Sequence, residues 1–390
     1  MNSFCEEYRK RFLGINPVQM LDRLSIAQLV KERPDGTGFR YKFIDYFYVA
    51  KYFSEHLSNK AVIVELDFVV QNLHTDRNAN ILIFLNHHSK DEAILKTIFA
   101  EVEKVFPDRT QTTLTKGTAK KMFEHLDNIP EMVESKRSTA EERKRELKRR
   151  DAEEKLLYED EEIVGSNESE IEHDQLAGDQ EDWLIQINRS LKLIDLIGQI
   201  MRNRFGSLER QQLNELTDAT FQSGFRFLDF YLQALHDDEE HLIEVIEKLL
   251  AEHKKIQHSK IETSAKKMFL MLSYRACYSV INKIATSIGH EKLTALYEEI
   301  ESRPESTEAQ RLVCVAVLLE HKKKIPKEAI LKLASEENSN PVVYRLLREL
   351  VIKHSYLNDV SVADRQWFDS KLNLSMKAQR TLQGQKGTRK

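Results

Sequence analysis

The sequence predicts an all-α fold, in which a winged-helix-like N-terminal unit is followed by an irregular, α-solenoid-like helical array. Glycine and proline are scarce, with 12 and 7 among 390 residues, which favours long helices over an all-β fold. Apolar residues recur at helical spacing along most of the chain. In the second half these segments come as helix pairs with short connections, without a repeat motif of fixed period. At most a small β-hairpin is expected, near Phe39.

Shifts in composition divide the chain into five parts: a winged-helix-like unit (1–58), a helical block (59–130), a charged helix with a flexible linker (131–182), a helical array (183–370) and a basic disordered tail (371–390). The third part is set apart by its charge. Residues 135–150 carry eight Lys or Arg against three Glu, and residues 151–182 carry fourteen Asp or Glu against one Lys. Such charge runs are typical of solvated segments.

The N-terminal unit is predicted from a change of periodicity. Val18–Glu32 is predicted to be an amphipathic helix, with its inward residues at Met20, Leu21, Leu24, Ala27 and Val30. A glycine-rich turn follows at Arg33–Gly38, and the alternation of Phe39, Tyr41 and Phe43 with basic residues predicts a strand. From Phe43 onward the spacing becomes helical, with inward positions predicted at Phe43, Phe47, Ala50 and Leu57.

The aromatic residues between Phe39 and Phe53 form a candidate core and a candidate site. Large aromatic side chains are more often part of a core than of a ligand cage. Tyr41 and Phe47 are therefore expected to be buried. If the cluster instead forms an interface or a switch, the candidate residues are Phe39, Tyr41, Tyr46, Phe47 and Tyr48.

Apolar stripes predict the remaining helices. Ala61–Leu73 is expected to bury Val62, Leu66, Val69, Val70 and Leu73, and Ile81–Leu85 is expected to be a buried helix. The array begins with an inward stripe over Trp183–Phe205, where Gly198 indicates close helix packing and Gly206 is expected to cap the helix. Further helices are predicted at Leu213–Leu235, Leu242–Leu250, Ile261–Ile288, Leu293–Ile300, Glu308–Leu319, Lys327–Leu333 and Pro341–His354.

The aromatic strand and helix resemble the winged-helix end of NACHT-type STAND ATPases. In that family a strand of the form F-x-H leads into a helix of the form E-Y-F-x-A. Phe39 matches the strand aromatic, and Phe47, Tyr48 and Ala50 match the helix. Residues 78–91 and 197–207 also resemble bacterial members that have a helical C-terminal half.

Two positions depart from the family pattern. Tyr41 stands where the family often has histidine, and Tyr46 stands where it has glutamate. The histidine commonly senses nucleotide phosphate in the closed state, so this chain lacks that contact. The resemblance implies a regulatory or sensor portion of a STAND-type switch, which mediates autoinhibition and recognises a trigger or partner. Bacterial relatives act in signalling and in defence against phage, and activation releases oligomerisation.

No catalytic motif accompanies this resemblance. The chain has no Walker A sequence, and Thr115–Thr118 combines lysine, glycine and threonine without the phosphate-binding loop or its preceding strand. His87 and His88 are expected on a loop surface. His236 and His241 are five residues apart, which does not place them on one helix face. We therefore expect no enzymatic activity, cofactor or metal in this chain, with ATPase activity only alongside a partner or a missing segment.

Nucleic-acid binding is the first alternative function. The net charge is -4, and the candidate recognition helix, Val18–Glu32, offers only Arg23 and Lys31 as basic residues. Asp22 and Glu32 offset them, which leaves too little positive charge for phosphate contacts. A stand-alone helical scaffold is the second alternative, distinguished by whether an ATPase-core polypeptide is encoded nearby.

The expected location is the cytoplasm. Cys5, Cys277 and Cys314 are widely spaced and form neither a zinc pattern nor a disulfide framework, which suits a reducing compartment. The N-terminal residues are polar, and no apolar run approaches the length of a membrane span. A protein partner is expected, and no membrane.

Overall fold

A computed structural model of the protein describes residues 16–33, 36–90, 92–115, 139–164, 180–252, 260–322, 324–335 and 339–374. Within these ranges the chain forms fifteen α-helices and one two-stranded sheet, which confirms the all-α class. The predictions for residues 1–15, for the linker between 165 and 179 and for the tail beyond 374 fall outside the described residues. No helix within these ranges is long and apolar enough to cross a membrane.

The N-terminal unit is a helix, a β-hairpin and a second helix. Helix α1 (Pro17–Ile26) is followed by strands β1 (Val30–Arg33) and β2 (Gly36–Phe39), which pair antiparallel with Val30 opposite Phe39. The prediction that the first helix continues to Glu32 is wrong, because Val30–Arg33 forms the first strand of this hairpin. The second strand ends at Phe39, and helix α2 (Lys42–Glu55) begins three residues later. The predicted strand through Phe43 is therefore also wrong.

Three helices follow and form the block that supports α2. They are α3 (Lys60–Gln71), α4 (Asp76–His88) and α5 (Glu92–Lys104). The inward stripe predicted for α3 is confirmed at Val62, Val69, Val70 and Leu73, all of which are buried. Ile81, Leu82 and Leu85 are buried within α4, as predicted for a buried helix. Helix α4 packs against α2 and also against α7 of the array.

The helical array follows the charged helix α6 (Thr139–Val164), which continues past the basic run into the acidic one. Each helix predicted from Leu213 to His354 coincides with a helix of the structure. The last helix of the array, Val362–Leu372, was not predicted. The array consists of α7 (Gln180–Arg204), α8 (Arg210–Asp237), α9 (Glu239–Glu252), α10 (Ile261–Ile288), α11 (Thr294–Ser302), α12 (Glu308–His321), α13 (Lys327–Ala334), α14 (Pro341–Leu357) and α15 (Val362–Leu372).

Helix α7 packs against α4, α8 and α10. In its predicted stripe, Ile194, Gly198 and Met201 are buried and Ile187, Leu191 and Phe205 are half-buried, but Trp183 is exposed and the prediction for that residue is wrong. Close packing at Gly198 is confirmed, since a Cβ atom there would lie 2.2 Å from the carbonyl oxygen of Ser287 on α10. Beside this contact, Asp195 accepts hydrogen bonds from Lys283 Nζ at 2.6 Å and from Ser287 Oγ at 2.9 Å.

Polar contacts join the first turns of α7 to the N-terminal block. Arg189 donates to the carbonyl oxygen of Gln71 at 2.6 Å and lies 3.7 Å from the carboxylate of Glu101. Glu101 is buried and also binds Lys104 Nζ at 2.6 Å. A buried carboxylate needs such partners to offset its lost hydration. The block and the array are thus held together by charge pairing as well as by apolar packing.

Replacement of Gly198 by alanine is expected to lower the free energy of unfolding by about 1–3 kcal/mol, the usual range for an overpacked core. The added methyl group would meet a backbone carbonyl, which cannot move without shifting α10. The matched control is Gly206→Ala, because a Cβ there meets no atom within 4 Å. Thermal unfolding followed by circular dichroism compares the two. A Gly198→Ala protein as stable as Gly206→Ala would contradict the packing described.

Candidate interaction surface

Helix α2 buries one face and exposes aromatic side chains on the others. Tyr46, Ala50 and Phe53 are buried, and their spacing of four and three residues is that of a single helix face. Tyr41 and Phe47 were predicted to be buried, but 46% and 37% of their surfaces are exposed. The prediction is wrong because the buried face of α2 is that of Tyr46, Ala50 and Phe53, whereas Phe47 meets α4 only at the edge of that face and keeps part of its ring in solvent.

Six aromatic residues of the hairpin and α2 form what we call the aromatic surface: Phe39, Tyr41, Phe43, Phe47, Tyr48 and Tyr52. Five of the six rings form pair contacts within this set. Phe39 stacks on Tyr48 with 5.5 Å between ring centroids, and Tyr41 stacks on Phe43 at 5.5 Å. Phe47 meets Tyr48 edge-on at 5.4 Å. These contacts place hairpin and helix aromatics together and hold several of the rings in fixed orientations.

The inner edge of the aromatic surface rests on α4. The Phe47 ring lies 5.9 Å from the Phe84 ring and 4.7 Å from the His88 imidazole, edge-on in both cases. His88 Nε2 is buried and has no hydrogen-bond partner among the described residues. Burial lowers the pKa of His88, and the nearby positive charges of Lys51 and His87 lower it further. The imidazole beneath Phe47 is therefore biased toward its neutral, more apolar form.

A groove of about 400 Å³ runs beside the aromatic surface, between α2 and α3. Phe39, Tyr48 and Tyr52 contribute to its wall, and Val69 on α3 lines the opposite side. Its edge is charged, since Arg77 lies 3.5 Å from the Asp45 carboxylate, and the lining also includes Glu65. An apolar groove with a few charged groups at its edge is the form that binding sites commonly take.

Apolar exposure continues on the neighbouring helices. Ile63, Val64 and Phe68 are exposed on α3, and Val18 and Ile26 are exposed on α1. Scattered apolar residues need no explanation on a protein surface, whereas a contiguous patch marks an interaction site. Aromatic residues are also the ones enriched at protein–protein interfaces.

The predicted site residues divide between surface and interior. Tyr41, Phe47 and Tyr48 are exposed, Phe39 is half-buried, and Tyr46 is buried in the contact with α4. Tyr46 therefore does not belong to the aromatic surface. Sequence reasoning missed Phe43, which it placed in the core, and Tyr52, which it did not consider. The spacing of Tyr48 and Tyr52, four residues apart, was the signal available for the second.

The other candidates from the sequence do not form a site. His87 and His88 lie in the last turn of α4, not on a loop as expected. In the described part of the chain no group of three or more His, Cys, Asp or Glu residues is arranged to hold a metal ion. Cys277 and Cys314 are buried, and burial raises the pKa of both thiols, that of Cys277 to about 12. Buried, protonated thiols are unreactive.

Comparison with protein-family models, with curated proteins and with solved structures finds no match to this chain. Functional inference therefore depends on the aromatic surface and on the physical properties of the described residues.

The corrected packing of α2 predicts which aromatic residues stabilise the fold. Phe53→Ala removes a ring that is only 7% exposed and is expected to lower the free energy of unfolding by about 3–5 kcal/mol. Tyr52→Ala, at a neighbouring position that is 51% exposed, is expected to change it by less than about 1 kcal/mol. Urea unfolding of both variants measures the difference. Equal losses would mean that Tyr52 belongs to the core.

Proposed function

We propose that this chain is a protein-binding regulatory portion of a STAND-type ATPase switch. The aromatic surface binds a partner polypeptide that carries the ATPase core. The observation that carries this proposal is the exposure of Tyr41, Phe43, Phe47, Tyr48 and Tyr52, which all lie in α2 or at its N-cap. Desolvating these rings would contribute much of the binding free energy, because buried aromatic residues dominate most protein interfaces.

The order of elements in the N-terminal unit supports the same proposal. A helix, a hairpin and an aromatic helix follow in the order expected for the closing part of a winged-helix unit. Phe39, which matches the family's strand aromatic, ends the second strand and stacks on Tyr48 of the following helix. An aromatic residue at this position therefore links the hairpin to α2.

Nucleic-acid binding is less well supported by the same surface. Aromatic rings can stack on bases, but such sites also need an excess of positive charge along the backbone path. Around α2 the charges are balanced, with Lys51 paired to Glu55 at 4.0 Å and Arg77 near Asp45. Helix α1 carries Asp22 and Arg23 side by side.

A stand-alone scaffold would use the aromatic surface for a partner without an ATPase core.

The proposal is tested by measuring how tightly this chain binds a polypeptide that contains a Walker A motif and is encoded by a neighbouring gene. Tyr41→Ser and Tyr52→Ser are each expected to raise the dissociation constant roughly tenfold, the usual effect of removing an interface anchor. Leu331→Ser, on α13 of the array and 41% exposed, is the control and should bind as the wild type does. Isothermal titration calorimetry measures the three constants. Unchanged binding by both tyrosine variants would place the interface elsewhere.

The isolated chain is expected to show neither turnover nor saturable binding of ATP with magnesium. Hydrolysis of a nucleoside triphosphate by this family needs a glycine-rich loop, a lysine and a Ser or Thr on magnesium, and the sequence has no such motif. Binding and hydrolysis of radiolabelled ATP are measured on the purified chain alone and, in a second reaction, with the partner polypeptide added. Turnover by the chain alone would contradict its assignment as a regulatory portion.

A further inference from the structure

Over residues 139–149, helix α6 is polar on all sides. None of its side chains from residue 139 to residue 149 is buried, and its apolar residue in this stretch, Leu147, is 60% exposed. A helix without an apolar face gains little from the hydrophobic effect when it packs on a protein surface. Helix α6 nevertheless packs against α14. Over residues 139–149, polar contacts therefore provide the attachment.

Two charged side chains of α6 reach α14. Arg143 Nε donates to the carbonyl oxygen of Leu357 at 2.5 Å. Leu357 is the last residue of α14, so the guanidinium lies at the negative end of the helix dipole. Three residues along α6, Glu146 lies 3.9 Å from Lys353 Nζ. Glu146 is itself oriented by Arg149, whose Nη2 donates to it at 2.8 Å. These contacts are individually weak and are screened by salt.

Tyr278 on α10 marks the surface next to this contact. Its hydroxyl group is buried and has no hydrogen-bond partner in the part of the chain that the structure describes. Burial raises the pKa of Tyr278 well above its ordinary value, and Glu146 and Arg149 of α6 are among the charges that act on it. An unpaired buried hydroxyl costs about 1–3 kcal/mol. In its docked position α6 therefore lies close to the Tyr278 hydroxyl group, which would gain a hydrogen bond if water or another partner reached it.

Hydrogen bonds and ion pairs join α10 and α14 around Tyr278. Tyr274 donates to Glu349 at 2.9 Å, and Arg275 also pairs with this buried carboxylate. Lys353, which faces Glu146, also donates to Asn282 at 2.8 Å. These bonds join α10 to α14 without any contribution from α6. The surface beneath α6 can therefore keep its structure when α6 leaves.

We propose that α6 is a releasable strap: Arg143 and Glu146 dock it on α14, and its release uncovers Tyr278 together with the adjoining polar surface of α10 and α14. The strap is independent of the aromatic surface and of the partner proposed for it. It gives the chain a docked and a released state, which differ in the contacts of Arg143 and Glu146 with α14. Ionic strength, or a competing charged helix, shifts the balance between them.

Hydrogen exchange measured by mass spectrometry on the full chain tests the strap. At roughly 0.1 M salt the Debye length is about 10 Å, and at roughly 1 M it is about 3 Å, so docking should weaken between the two. Amides of residues 139–149 are expected to exchange roughly fivefold faster at the higher salt, the most that exposed ion pairs of ordinary strength would give. Nitration of Tyr278 by tetranitromethane, located by peptide mapping, should rise in parallel.

Variants that reverse the charge of one or both residues of the Glu146–Lys353 pair test the same contact. Glu146→Lys should speed exchange and nitration at low salt, and the double variant Glu146→Lys with Lys353→Glu should restore both toward wild-type values. Lys148→Glu, at an exposed position on the same helix, should change neither. The proposal would be overturned if the amide exchange rate and the nitration of Tyr278 did not change with salt concentration. It would also be overturned if Lys148→Glu changed them as much as Glu146→Lys does. The wild-type salt series decides the question even if a charge-reversed variant fails to fold.

Discussion

The close approach of α7 to α10 at Gly198 constrains the arrangement of the other helices. Because the backbone of Ser287 occupies the space of a side chain, the two helices can approach closely only in this register. Asp195, one turn before Gly198, fixes the register with hydrogen bonds to Lys283 and Ser287. With α7 held in this way, its first turns present Arg189 to the N-terminal block. The position of the block relative to the array follows from a contact deep within the array.

Helix α4 connects this central contact to the aromatic surface. On one side Phe84 and His88 support Phe47. On the other side His87 Nε2 lies 3.2 Å from Asn203 on α7, and Asn86 accepts a hydrogen bond from Arg204 at 3.4 Å. A partner that moves Phe47 would therefore press on a helix whose last turn contacts α7. This is a chain of contacts, and coupling along it would require α4 to have a second stable position.

The helices of the array could be predicted from the sequence, whereas the arrangement of the N-terminal unit could not. Ile261–Ile288 was predicted with the bounds that α10 has, because its apolar residues follow one helical stripe. In α2, apolar residues occur on every face, so periodicity does not decide which face is buried, and packing against α4 selects Tyr46, Ala50 and Phe53. Val30 continued the apolar stripe of α1, but pairing with Phe39 draws it into a strand. This pairing depends on the neighbouring strand Gly36–Phe39, so it is not visible in the helical periodicity of Val18–Glu32. The aromatic surface was therefore missed as a surface, although four of its six residues, Phe39, Tyr41, Phe47 and Tyr48, had been named as interface candidates.

The two proposed surfaces of this protein depend on opposite kinds of interaction. Binding at the aromatic surface would remove apolar area from water, an effect that excluded salts such as sulfate strengthen. Docking of α6 depends on Arg143 and Glu146, whose contacts salt screens. Near physiological ionic strength the Debye length is about 8 Å, so pairs as close as these are only partly screened and the docked state keeps part of its stabilisation. A rise in the concentration of an excluded salt such as sulfate would release α6 while it favours a partner on the aromatic surface. One change in conditions can thus act on the two surfaces in opposite directions, because binding at one depends on desolvation and docking at the other depends on charge.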